Sequence, residues 1–220
     1  MALNYTIDLK ENEMFLLEQT RIGLNLLPKD YNLGLVIDLG AHAGAFSLNA
    51  ILYGAKKVVA IEPHPANYTR LISNITRNNL WGRIIPLPLA VGGRANKPFD
   101  ILHLSSIGVN SGQHSLKFIG AGEAVVDVPV VPLRWLIKNL DIDYLKIDIE
   151  GGEWQIFEDL DKSLLAGVRF IDIEVHSLDN KDFFGTAKHP IEDKLFPWLE
   201  ECGFVNMVTN GDFRGMRKTE

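Results

Sequence analysis

Six side chains able to bind charge or move protons stand where an apolar run gives way to a turn. They are Asp38 in VIDLGAHAGAFSL, Glu62 in VVAIEPHP, Asp148 and Glu150 in LKIDIEGGEW, and Glu174 and His176 in FIDIEVH. Residues two apart on a strand share a face, so Asp148 with Glu150, and Glu174 with His176, form pairs aimed in one direction. A positioned carboxylate or imidazole of this kind can take the proton of a hydroxyl group as that group reacts. The same acids can also hold a hard divalent cation. No dedicated metal-loop spacing accompanies them, so chemistry without a metal is the expectation.

The first of these stretches carries a glycine turn, Gly40-Ala41-His42-Ala43-Gly44. Glycine permits a close approach of ligand to backbone, and the helix that follows offers unpaired N–H groups. A dinucleotide fingerprint needs G-x-G-x-x-G, and here His42 occupies the place of the middle glycine, which argues against NAD. A triphosphate loop needs a lysine after its last glycine, and Ala45 follows Gly44 instead. Glu62, at the end of the next strand, is placed to accept the hydroxyls of a ribose. Asp38 would repel a pyrophosphate and favours a ligand with a positive centre and an amino group. S-adenosylmethionine has the ribose, the positive sulfur and the amino group, so Asp38, Gly40, His42, Gly44 and Glu62 are the candidate cofactor-binding residues.

The elements that must carry these groups alternate. Hydrophobic periodicity predicts a leading helix over 11–27, then strand 34–39, helix 43–53, strand 57–62, helix 65–79 and strand 83–89. After an irregular segment, 92–123, the pattern resumes with strand 125–131, helix 132–139, strand 143–149, helix 152–160, strand 168–175 and helix 190–202, and closes with a strand pair at 203–208 and 212–216. Alternation of this kind makes an α/β protein with a largely parallel sheet and an antiparallel end. Ligands of such sheets lie outside the carboxyl ends of the strands, where all six side chains fall. The irregular segment holds a short apolar run, FDILHL, and reads as a hairpin or an active-site loop, with His103, Ser111, His114 and Ser115 where a lid over the acceptor would lie. Glu153 reads as a first-turn acid favourable to its helix dipole. Trp81, Trp135, Trp154 and Trp198 are scattered without a stacking pattern and read as packing residues.

These stretches, in this order, resemble the FkbM-type methyltransferases. The resemblance rests on VIDLGAHAGAFSL, VVAIEPHPANYTRLISNITRNN, LKIDIEGGEWQIFEDL and FIDIEVH, and covers roughly residues 35–177. The run Lys146-Ile147-Asp148-Ile149-Glu150-Gly151 followed by Glu153 is its most specific part. His42 departs from the pattern, since the family more often carries asparagine there. The resemblance implies a Rossmann-like class I methyltransferase fold, a mostly parallel seven-stranded sheet with helices on both faces and a terminal antiparallel hairpin. It also implies S-adenosyl-L-methionine as cofactor and O-methylation of a hydroxyl on a small molecule, sugar, lipid or polyketide. Asp148, Glu150, Glu174 and His176 then become the candidate catalytic residues around the acceptor. A catalytically silent binding domain of the same fold is the alternative, and an NAD-dependent oxidoreductase a weaker one.

Composition agrees with a folded enzyme: the 220 residues are 46% hydrophobic and 23% charged. One domain over 1–220 is expected, with 1–30 as a helical extension and 31–220 as the core. With 28 acids against 22 bases the chain lacks the basic footprint of a nucleic-acid binder. No apolar run is long enough to span a membrane and no export signal precedes the fold, so a cytoplasmic protein is expected. The single cysteine, Cys202, suits a reducing compartment and reads as buried and inert. Sequons at Asn4, Asn67 and Asn74 carry no weight without a secretory route.

Overall fold

The computed structural model describes residues 6–7, 18, 20–92, 98–103, 125–158, 160–176, 192–208 and 212–218. Its centre is a seven-stranded sheet. Strands β1 (Leu35–Leu39), β2 (Lys57–Ile61) and β3 (Ile84–Leu87) form one half. Strands β7 (Ile142–Ile147), β8 (Val168–Ile173), β9 (Phe204–Asn206) and β10 (Phe213–Arg217) form the other. The order is β3-β2-β1-β7-β8-β10-β9, parallel from β3 through β8, with β10 antiparallel to both β8 and β9. This is the seven-stranded Rossmann-like arrangement that the resemblance implies.

The strands are apolar because both faces of the sheet are covered. In β1, Ile37 and Leu39 face one core with Leu145, Ile147, Ile171 and Ile173, while Val36 faces the other with Val58, Ala60, Tyr144 and Phe170. The second core is closed by α1 (Ile22–Asn25), α2 (Ala45–Leu52) and α3 (Pro65–Arg77). Pro65 opens α3 at a position where a missing N–H costs nothing, and the His64 ring accepts from Asn67 N at 3.3 Å to cap it. The buried side of α3 sets Leu71 and Ile75 against the sheet, each contributing about 1.5–3 kcal/mol of burial. Asn67 and Asn74 are buried too, and Asn74 Nδ2 donates to the Ala43 carbonyl at 2.8 Å, tying α3 to the glycine turn. The first core is covered by α4 (Leu133–Ile137), α5 (Glu153–Glu158) and α6 (Glu192–Glu201).

Two places differ from the sequence-based expectation. The strand expected at 125–131 does not join the main sheet: β6 (Val125–Pro132) lies between β4 (Ala90–Gly92) and β5 (Phe99–His103) in a separate three-stranded sheet. The run FDILH is a strand, β5, paired antiparallel with β6. Trp81 and Trp135 are exposed, and only Trp154 and Trp198 pack against the core. Of the leading helix, the described part is α1, which ends before Pro28. Residues 11–17, together with Ser111, His114 and Ser115, lie outside the described residues. Cys202 is buried and free.

Candidate active site

The order of the sheet reverses direction between β1 and β7, and both strands end there in turns built from left-handed residues. After β1, Gly40, His42 and Gly44 have φ of 80°, 52° and 92°. Gly40 N and Ala41 N both donate to the Ile61 carbonyl at the end of β2, at 3.0 and 2.9 Å. Glu62, the next residue, completes the turn: its Oε2 accepts from His42 N and its Oε1 from His64 N, each at 2.8 Å. After β7, Glu150, Gly151 and Gly152 have φ of 56°, 101° and 102° in succession. Only glycine adopts that region freely, so Glu150 is held in a conformation costing roughly 1–2 kcal/mol. The two turns touch. A Cβ on Gly40 would stand 1.7 Å from the Asp148 carbonyl oxygen, and one on Gly44 would stand 2.7 Å from Leu71 Cδ1. Gly40 is therefore required by its contact with the Asp148 backbone, and Gly44 by its left-handed conformation.

Lys146 links the two halves. It is the register partner of Asp38 across β1 and β7, and its Nζ lies 3.5 Å from Asp38 Oδ1, 3.0 Å from Asp148 Oδ2 and 3.2 Å from the Gly40 carbonyl. Asp38 is fully buried and accepts a 2.6 Å hydrogen bond from Ser47 Oγ of α2. Burial raises its carboxyl above the usual range, against the pull of Lys146 and Ser47. Burial opposes the charge on Lys146, but Asp148 and Asp38 outweigh it and hold the ammonium above its ordinary pKa. Asp148 is pulled below the carboxylate range by Lys146 and His176, which overcome its own burial. Glu62 is pushed up to about 7 by burial, in spite of its two backbone donors.

On the β8 side, His176 gathers the remaining acids. Its Nε2 lies 3.4 Å from Glu150 Oε2, 3.6 Å from Glu174 Oε1 and 4.0 Å from Asp148 Oδ1. Its Nδ1 stands 3.1 Å from Glu153 Oε1. Burial works against the imidazolium, yet the Glu153 hydrogen bond and the charges of Glu150 and Asp148 raise His176 to about 10. Burial raises Glu150 to about 7, with His176 opposing and Asp148 adding to the shift. Glu174 is raised by burial and by Asp148, and its side chain stays half exposed at the rim.

The four acceptor-side residues expected from sequence thus converge on one imidazole. The donor-side residues divide: His42 and Glu62 join through a hydrogen bond, Asp38 and Gly40 meet Lys146, and Gly44 opens α2. Three further residues belong to the site. Ser47 and Lys146 hold Asp38; neither is a candidate from sequence, although a lysine inside the apolar strand YLKIDI is the signal by which the second is found. The third is Glu153, the first-turn acid of its helix as expected, which also reaches His176. It is fully buried in the first turn of α5 and accepts from Gly151 N at 2.9 Å while bound to His176.

A family model for the methyltransferase FkbM domain matches residues 38–205, which contain every one of these side chains. No curated protein matches the chain in sequence. Solved structures with a similar chain path include the methyltransferase FkbM of Methylobacillus flagellatus, at 16% identity and a TM-score of 0.44, covering 76% of this chain and 37% of that one. The chain therefore spans little more than a third of that relative's length. TrmK of M. capricolum, in complex with S-adenosyl-homocysteine, aligns at 12% identity and a TM-score of 0.47, covering 92% of this chain and 66% of that one. The C-terminal domain of precorrin-6Y C5,15-methyltransferase from Rhodobacter capsulatus aligns at 13% identity and a TM-score of 0.47, covering 97% and 94%. No helix among the described residues is long and apolar enough to cross a membrane. With the match running from Asp38 at the end of β1 to β9, the chain belongs to the FkbM methyltransferase family.

Proposed function

We propose that the chain is an S-adenosylmethionine-dependent methyltransferase that methylates a hydroxyl oxygen of a small molecule, sugar, lipid or polyketide. The observation that carries this reading is the meeting, at the β1/β7 reversal, of the Glu62-bound glycine turn with the acid and imidazole cluster of β7 and β8. Each Glu62 oxygen accepts one backbone N–H, which leaves a lone pair on each for the two hydroxyls of a ribose. Asp38, held by Ser47 and paired with Lys146, fixes the Lys146 ammonium beneath the Gly40 carbonyl and so supports the glycine turn from inside. These features fit the cofactor, which when bound supplies an activated methyl group on a positively charged sulfur.

The protein's own task is then to orient the acceptor and remove its proton. Glu150 at about 7 is matched to accept a proton near neutrality, with Glu174 beside it. Asp148 stays ionised and fixes Lys146 and His176. At about 10, His176 is charged and steadies developing negative charge on the acceptor oxygen rather than acting as the base. The surrounding carboxylates disfavour a polyanionic acceptor, which speaks for a small hydroxyl compound over nucleic acid.

Calorimetric titration with S-adenosylmethionine, S-adenosylhomocysteine and NAD tests the cofactor: the first two should bind and the third should not. A screen of hydroxylated sugars, lipids and polyketides for the mass gain of one methyl group tests the reaction. Glu150→Gln should cut transfer by about 10²-fold or more while changing S-adenosylhomocysteine affinity by less than about 1 kcal/mol. Cofactor binding with no acceptor in any class would favour a silent binding domain instead.

A further inference from the structure

The three distances from His176 Nε2, 3.4 Å to Glu150 Oε2, 3.6 Å to Glu174 Oε1 and 4.0 Å to Asp148 Oδ1, are all longer than a good hydrogen bond. They suit ligands that share an ion. Metal–ligand bonds of about 2.0–2.2 Å put neighbouring ligand atoms roughly 3.0–3.6 Å apart and opposite ones about 4.2 Å apart. One ligand atom each from Asp148, Glu150 and His176 lie within 4.8 Å of one another.

The two oxygens of Glu153 point the same way. Glu153, buried beneath the cluster, takes His176 Nδ1 at 3.1 Å and so directs Nε2 toward the other acids. A carboxylate on the far nitrogen is the usual support of a metal-bound histidine, where it fixes both the tautomer and the ring orientation. The second oxygen of Glu153, Oε2, is buried with no hydrogen-bond partner among the described residues. A buried carboxylate only half satisfied by hydrogen bonds calls for positive charge close by. Lys146 is already engaged by Asp38, the Gly40 carbonyl and Asp148 Oδ2, which leaves Asp148 Oδ1 turned toward His176.

We propose that Asp148, Glu150 and His176, with Glu174 at the rim and Glu153 as the positioning residue, form a binding site for a divalent transition metal ion of the Mn²⁺ kind. The ligand set decides the class. An imidazole among the ligands disfavours Mg²⁺ and Ca²⁺, and several carboxylates without a thiolate disfavour the softer ions. The ion takes the place of the proton on Nε2. This revises the sequence-based expectation of chemistry without a metal. Binding itself does not depend on the methyltransferase reading. The use of the ion does rest on it: the ion would hold the acceptor hydroxyl oxygen next to the methyl donor.

Titration of chelator-stripped protein with MnCl₂, followed by the electron paramagnetic resonance of free Mn²⁺, tests the site. One saturable ion per chain is expected, with imidazole nitrogen coupling in its spectrum that is lost in His176→Gln. Asp148→Asn and Glu150→Gln should weaken binding at least about 10-fold, and Glu153→Gln about 10- to 100-fold. Glu174→Gln, at a half-exposed position with little risk to the fold, should weaken it by a smaller factor. Displacement of Mn²⁺ by ZnCl₂ but not by equal MgCl₂ supports the mixed nitrogen and oxygen ligand set, and displacement by equal MgCl₂ overturns it. Absence of saturable binding of either Mn²⁺ or Zn²⁺, or binding unchanged in both Asp148→Asn and His176→Gln, overturns the site. S-adenosylhomocysteine binding, measured on the same preparation, separates the two readings. Cofactor bound without metal sinks the metal site alone, and metal bound without cofactor supports the site while sinking the methyltransferase reading.

Discussion

Glu153 Oε1 lies 3.1 Å from Nδ1 of His176, and the carboxylate that makes this contact is fully buried. The pair joins the first turn of α5 to the segment after β8, so the orientation of the imidazole is set from outside the strand that carries it. Replacing Glu153 by glutamine keeps the volume and removes the carboxylate whose hydrogen bond most strongly raises His176. In metal-free protein the imidazole, at about 10 in the parent, should then titrate toward its ordinary value. Nuclear magnetic resonance of the ring carbons reads this directly. A His176 pKa unmoved by the substitution would show that Glu153 does not govern the imidazole.

Among the described residues, Lys146 is the one cation paired with both Asp38 and Asp148, and Asp38 is fully buried. Lys146→Met should therefore destabilise by about 3–5 kcal/mol, the scale of a buried charge left without its partner. Adding Asp38→Asn should recover part of that loss, since the uncompensated carboxylate is then gone. Urea denaturation of the two single variants and the double variant measures the coupling. Strict additivity would mean that the Lys146–Asp38 contact is incidental.

Two left-handed glycines separate backbone preference from close packing. Gly40 has φ of 80° with the Asp148 carbonyl 1.7 Å from where a Cβ would sit, whereas Gly54 has φ of 99° with nothing within 4 Å. Gly54→Ala should cost about 1 kcal/mol, and Gly40→Ala well over about 2 kcal/mol, with S-adenosylhomocysteine binding lost as the turn is pushed off β7. Equal losses in the two denaturation curves would remove the contact between the turns as the reason for Gly40.

Burial lifts Glu62 from 4.5 to about 7. An acid raised in this way carries more proton in the folded than in the unfolded state between those two values, so its contribution to stability falls as pH rises through that window. Glu62→Gln removes the titration, and the stability lost between about pH 5 and about pH 8 should shrink by about 1–3 kcal/mol relative to the parent. The same variant should weaken S-adenosylhomocysteine by about 1–3 kcal/mol. Parallel pH profiles for the two proteins would place the Glu62 carboxyl in its ordinary range.

Local sequence determined the alternation of strands and helices and the standing of Asp38, Glu62, Asp148, Glu150, Glu174 and His176 at strand ends. Both are properties of short windows: apolar period sets the element, and the break in that period sets where a side chain leaves it. What tertiary structure decided is which windows meet. The periodicity of 125–131 reads as a strand whichever sheet receives it, and only its pairing with Ala90–Gly92 and Phe99–His103 removes β6 from the main sheet. Glu153 in EGGEWQIF has the pattern of a first-turn acid favourable to its helix dipole. In the fold it is buried, accepting from Gly151 N just after the left-handed run 150–152 and meeting the His176 ring from the neighbouring strand end. Lys146 became the link between the halves because β1 and β7, more than 100 residues apart in the chain, are neighbours at the reversal of the sheet, which sets Lys146 in register with Asp38. Partners across strands depend on sheet order and register, which no local window encodes.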